Sequence, residues 1–153
     1  MLMNMVEFAP DIFFESSAFP AAFHIALAAL TLIHTDTIFA SLDLIRVILT
    51  HDCLNQASHE APPPPPKFPL YANAIHQAVD KEGFEFTSLL LTGLVGNFPA
   101  ETASINVTLM RVLASLWPIQ LQQWVPVILQ SLPVTSVPEE AKVRFMKDLD
   151  EYV

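Results

Sequence analysis

The sequence predicts an all-α protein, and three observations carry that expectation. Apolar residues recur at intervals of three and four through most of the chain, the spacing of one buried stripe on a helix. Three successive segments close on a large apolar residue followed by proline: Phe98-Pro99, Trp117-Pro118 and Leu132-Pro133. The residue before a proline is pushed out of the α region, so each pair marks a helix end. Glycine is scarce, with 3, and proline plentiful, with 13, which suits sharply stopped helices rather than glycine-turned hairpins.

In chain order, residues 1–14 carry Met5, Phe8, Phe13 and Phe14, broken by Pro10, and read as the tail of a helix that begins before Met1. Ser16 or Ser17 can cap, and Pro20 suits a first turn, where its missing N–H has no partner anyway. The first complete helix is expected over 20–34. It is apolar nearly all round (Phe23, Ile25, Leu27, Leu30, Leu32), as if enclosed on several sides. Thr35 or Asp36 caps the next, 37–50, with Ile38, Leu42, Ile45 and Leu49 inward and Ser41, Asp43 and Arg46 on the polar face. Residues 52–69 form a loop whose five prolines, Pro62 to Pro66, favour an extended polyproline rod. An SH3 or WW ligand needs flanking specificity residues, and only Lys67 is at hand, so a connection between helix pairs is the simpler reading. A helix over 70–81 (Leu70, Ala74, Ile75, Ala78, Val79) should end near Gly83.

Residues 84–133 contain three apolar segments: FEFTSLLLTGLVGNFP, AETASINVTLMRVLASLWP and IQLQQWVPVILQSLP. The second carries Ile105, Leu109, Val112, Leu113 and Leu116 on one face; the third carries Leu121, Trp124, Val125, Ile128 and Leu132. Gly93 and Gly96 read as close-packing positions, and Trp117 and Trp124 as core aromatics. Pro138 opens a last helix with Glu139 and Glu140 in its first turn, complementing the helix dipole. Its stripe is Val143, Met146, Leu149 and Val153, with Lys142, Arg144, Lys147, Asp148, Asp150 and Glu151 on the solvent side, as in a terminal cap. Short connections make neighbouring helices antiparallel. The pairs 20–50, 84–116 and 119–152 approach the period of HEAT repeats, roughly 40–47 residues. The expected architecture is an α-solenoid of antiparallel HEAT-like or armadillo-like helix pairs, a piece of a longer superhelix. Residues 1–52 would hold the end of a preceding helix and one pair, 53–69 a proline-rich inter-repeat loop, and 70–153 about two further pairs.

The formal net charge of −9 disfavours direct nucleic-acid binding and favours basic protein partners. The single cysteine, Cys53, rules out an internal disulfide framework. The start, MLMNMVEFAP, lacks the basic region of a secretory signal. The longest apolar window, 18–33, spans 16 residues and includes Pro20, His24 and Thr31, short of a membrane crossing. No membrane insertion is therefore expected, and a small membrane-associated helical protein stands as the alternative. The five histidines fall in different elements, and His51-Asp52-Cys53 is the nearest approach to a ligand cluster. Adjacent side chains diverge there, and no second CxxC or HxxxH supplies further ligands. A polar helix terminus explains the trio better than a metal site or a helical enzyme built on His51 and Cys53. No phosphate loop, nucleophile elbow or HExxH occurs, so neither catalysis nor a cofactor is expected.

The runs AFHIALAALTLIHTDTIFASLDLIRVILTHD, LLLTGLVGNFP, RVLASLWPIQLQQWVPVILQSLP and EEAKVRFMKDLDEYV resemble the C-terminal end of an importin-β family receptor. The similarity is to the branch of transportin-SR, importin-thirteen and the fungal mRNA-transport regulators, and it covers 13–153. It implies a HEAT-repeat solenoid that shuttles between nucleus and cytoplasm with protein cargo under Ran control. Basic, SR-like RNA-binding proteins are the implied cargo and nucleoporins possible contacts; Ran would be held by N-terminal repeats that this sequence does not contain. The second helix of each repeat lines the cargo face in that family. Carried over to 37–50, 101–116 and 139–152, this makes Asp43, Arg46, Asn106 and Arg111 candidate cargo contacts. Two departures stand out: family members are several times longer, and the arginine-rich helix that reads phosphorylated Arg–Ser tails is missing, since only Arg46, Arg111 and Arg144 exist.

Overall fold

Residues 8–32, 34–54, 67–133 and 137–152 are described in the computed structural model, and among them every regular element is helical. The helices are α1 (Pro10–Glu15), α2 (Ala18–Ala29), α3 (Thr35–Leu49), α4 (Phe68–Thr92), α5 (Ala103–Leu116), α6 (Pro118–Ser131) and α7 (Glu139–Tyr152). Short 3-10 turns occupy Asp52–Leu54 and Ala100–Thr102, and a π turn occupies Gly93–Asn97. Chain contacts divide the protein into two compact units, Met1–Gly83 and Phe84–Val153. The polyproline run, the start of the chain and Val153 lie outside the described residues.

In the first unit an aromatic cluster joins α1 to α2. Phe13, Phe14 and Phe19 meet edge to face with ring centroids 5.1–5.5 Å apart, and all three are buried. The α2 helix starts earlier than expected: Ser17 is its N-cap residue, without a side-chain capping bond, and the Ser16 hydroxyl accepts the Ala18 N–H at 3.2 Å. It also ends earlier: Leu30, Thr31 and Leu32 donate to carbonyls three residues back, a tightened last turn. Its expected enclosure is corrected. Phe19, Phe23, Ala26 and Leu27 are buried, but Ile25 on the far side is 65% exposed. The stripe of α3 is as expected, with Ile38, Leu42, Ile45 and Leu49 no more than 2% exposed. Thr35 and Asp36 do not cap it; His34 is the N-cap residue, and Asp36 lies in the first turn.

The expected break at Gly83 is absent. α4 runs unbroken through it for 25 residues, because Tyr71, Ile75, Val79, Phe86 and Leu90 form one buried stripe with Gly83 in register. Interior glycine weakens a helix by only about 1 kcal/mol, less than the burial of that stripe returns. Tyr71, not Leu70, is the inward residue; Leu70 is 58% exposed.

In the second unit all three apolar-proline pairs end helices as read from the sequence. Phe98 and Leu132 are extended and Trp117 leaves the helical region, with φ −128° and ψ 53°. Gly96 adopts φ +132°, a conformation that favours glycine, so the chain turns there. Phe98 donates its N–H to the Gly93 carbonyl at 3.2 Å and folds its ring over Gly93, where an added Cβ would lie 2.1 Å from a ring carbon. Gly93→Ala is accordingly expected to lower stability by about 1–3 kcal/mol in chemical denaturation, with much of the loss recovered in a Gly93→Ala, Phe98→Ala double variant. Trp117 is buried, whereas Trp124 is only half-buried. Pro126 sits inside α6, which leaves the Gln122 carbonyl without its usual helical donor.

The buried face of α7 is turned relative to expectation. Val143 is 66% exposed, while Lys142 is buried beside half-buried Phe145 and Met146 and buried Leu149. The Lys142 ammonium donates to the Leu132 carbonyl at 2.9 Å and to Glu139 at 3.3 Å. The cation thus satisfies a carbonyl at the C-terminus of α6, where the dipole favours positive charge. Lys142→Met keeps the aliphatic stem but orphans that carbonyl, and should lower stability by about 1–3 kcal/mol in a urea titration.

Candidate functional site

The main helix contacts among the described residues join α1 to α2, α2 to α3, α5 to α6 and α6 to α7, and α4 is reached from α1 by Phe14 stacking on Tyr71 and from α2 by the His24–Glu82 pair. In the first unit α2 and α3 pack on each other and leave an apolar groove of about 710 Å³ along their outer side. From α2 it is lined by Ala18, Ala22, Ile25 and Ala29; from α3 by Asp36, Thr37, Ala40, Ser41 and Leu44. Among the described residues Asp36 is the one charged residue on its wall. The groove has one faint signature in the sequence: AFPAAFHIALAAL places alanines at intervals of three and four along a helix that carries no Asp, Glu, Lys or Arg.

Of the four sequence candidates, Asp43 and Arg46 lie in the first unit and Asn106 and Arg111 in the second. Asp43 and Arg46 meet each other: one carboxylate oxygen accepts from both Nε at 2.9 Å and a terminal guanidinium nitrogen at 2.6 Å. The pair is partly exposed, with side chains 24% and 39% accessible, and contributes little to stability by itself. Asn106 is corrected as a surface contact. It is 1% exposed, and its side-chain amide donates to the Leu90 carbonyl at 3.1 Å, tying α5 to the C-terminal part of α4 within the second unit. Arg111 is exposed on α5. With Asp148 it rims a hollow of about 200 Å³ floored by Val107, Met110, Ala114, Phe145 and Leu149.

At the end of α3, His51 sits in an aromatic cage of Phe14, Phe68 and Tyr71, with centroids 5.4–6.2 Å away. Its Nδ1 accepts the Cys53 backbone N–H at 3.1 Å, so the neutral ring carries its proton on Nε2. Burial holds its pKa below the usual 6.5, opposed by the nearby Asp52 carboxylate. Burial also pushes the Cys53 thiol up to about 11, which keeps it protonated and a poor nucleophile at neutral pH. Among the described residues no three His, Cys, Asp or Glu side chains are placed to share a metal ion.

A depressed histidine pKa means that the unfolded chain binds the extra proton more readily. The stabilising contribution is complete above about pH 6.5 and falls away as pH drops towards the folded value. The melting temperature of the wild type should therefore fall more between pH 7.5 and 5 than that of His51→Gln, measured side by side.

No helix among the described residues is long and apolar enough to cross a membrane. No protein-family model matches the chain, and no curated protein matches it.

Proposed function

We propose that this chain is a stretch of helical protein-binding scaffold in an importin-β-type nuclear import receptor. The observation that supports the reading is the packing of consecutive helices within each unit, α1 on α2 and α2 on α3 in the first, α5 on α6 and α6 on α7 in the second. A HEAT-like solenoid is built in that way, with each helix pair held mainly by the next. The cargo in this reading is a basic, SR-like RNA-binding protein, drawn by a chain of net charge −9. Asp43, Arg46 and Arg111 are its proposed contacts in this segment; Asn106, being buried, is not among them. Ran is bound by other repeats of the receptor, nucleoporins guide passage through the pore, and the receptor shuttles between cytoplasm and nucleus. No step requires catalysis or a cofactor.

The test is a titration of the purified chain against an Arg–Ser-rich RNA-binding domain, followed by fluorescence anisotropy. Saturable binding that weakens about tenfold between low salt and roughly 0.3 M is expected, with an acidic control domain failing to bind. Equal affinity for the acidic control, or none for the basic domain when upstream repeats of such a receptor are fused to the chain, would count against the reading.

A further inference from the structure

We propose that the groove between α2 and α3 receives one helix from a partner protein. That helix is short and amphipathic, with an apolar face and a lysine or arginine placed to meet Asp36. The inference rests on the groove itself and stands whether or not the chain belongs to a transport receptor.

The shape of the groove selects a helix. Its walls are two helices packed side by side, and the lining residues of α2 recur at helical spacing along nearly its whole length of 12 residues, about 18 Å. A third helix of three to four turns fits that length with its side chains between the two ridges. Alanines on the wall allow close approach, and Ile25, 65% exposed, is a large apolar side chain that such an occupant would cover.

The electrostatics select a basic partner. Among the described residues no cation lines the groove and its single charge is the exposed carboxylate of Asp36, and the chain as a whole is strongly acidic. A second copy of this chain would bring its own excess of negative charge to the same wall. A flat bilayer does not fill a trough, and anionic headgroups would be repelled from Asp36. A helix whose basic residue pairs with Asp36 while its apolar face fills the trough satisfies both features.

The test uses the full chain and a fluorescein-labelled synthetic helix with alanine and leucine on one face and a single lysine near one end. Saturable binding is expected, reduced at least about tenfold by Ala22→Phe, which fills the trough, and about threefold by Asp36→Asn. A peptide carrying glutamate in place of lysine should bind poorly to the wild type and recover on Asp36→Lys. Circular dichroism checks that each variant keeps its helicity, and Ser41→Phe serves as a second blocking variant if Ala22→Phe unfolds. The proposal is overturned if the peptide fails to bind the wild type, or if binding is indifferent to both blocking variants and to charge reversal. It is equally overturned if sedimentation shows the chain pairing with itself in a manner that Ala22→Phe abolishes, or if neutral lipid vesicles compete for the groove.

Discussion

Replacing Phe19 with alanine should lower the stability of the chain by about 3–5 kcal/mol, a loss read directly from a urea titration followed by circular dichroism. Phe19 is 1% exposed and meets Phe13 and Phe14 with centroids 5.5 and 5.1 Å away. Truncation removes an aromatic transfer term and opens a void where three rings converge, and the short turn between α1 and α2 offers little slack for collapse. For a protein with a typical stability of about 5–15 kcal/mol, that change takes a large share of the total. Ile25→Ala on the same helix removes a side chain already 65% exposed and should shift the midpoint little. The contrast between the two variants measures how one-sided the burial of α2 is.

A loss of similar size, about 3–5 kcal/mol, is expected for Trp117→Ala. Trp117 is 2% exposed and stands at the corner of the α5–α6 hairpin. Its N–H closes α5 on the Leu113 carbonyl at 2.8 Å, and its carbonyl accepts the Leu121 N–H at 2.9 Å to open α6. The indole therefore fills the point at which one helix hands over to the next, and Pro118 fixes the change of direction. Trp124→Ala should cost far less, because that ring is only half-buried. Melting curves of the two variants separate a corner residue from a peripheral one.

The boundaries legible in the sequence were those set by local chemistry. Phe98-Pro99, Trp117-Pro118 and Leu132-Pro133 all end helices because the proline ring excludes the α region one residue earlier, whatever the surroundings. The stripe of α3 was legible because Ile38, Leu42, Ile45 and Leu49 have polar neighbours that mark the opposite face. Gly83 misled because its local preference was set against a stripe extending from Tyr71 to Leu90, and long-range burial prevailed. Lys142 and Asn106 misled for a different reason. Each is polar by type and buried by circumstance, held by a carbonyl, Leu132 or Leu90, that belongs to another part of the chain. Periodicity assigns a lysine to the solvent side and cannot see the acceptor that draws it inward. The α2–α3 groove was hidden by the same limit. A helix without Asp, Glu, Lys or Arg looks like one enclosed on every side, and only packing reveals that its alanines and Ile25 line an open wall.

The candidate contacts follow the same division. Asp43 and Arg46 lie three residues apart on one helix, so their meeting could be anticipated from spacing. The hollow beside Arg111 draws on α5 and α7 together and has no signature in either segment alone.

The most direct measurement captures the endogenous protein with an antibody against the α7 segment, Glu139–Tyr152, and challenges it with Ran loaded with GTP. The transport reading requires an Arg–Ser-rich RNA-binding protein to co-precipitate and to be released on adding Ran-GTP, from a polypeptide several times heavier than 17.0 kDa. Capture of a 17.0 kDa polypeptide with no such cargo, or with cargo that Ran-GTP leaves in place, would contradict it.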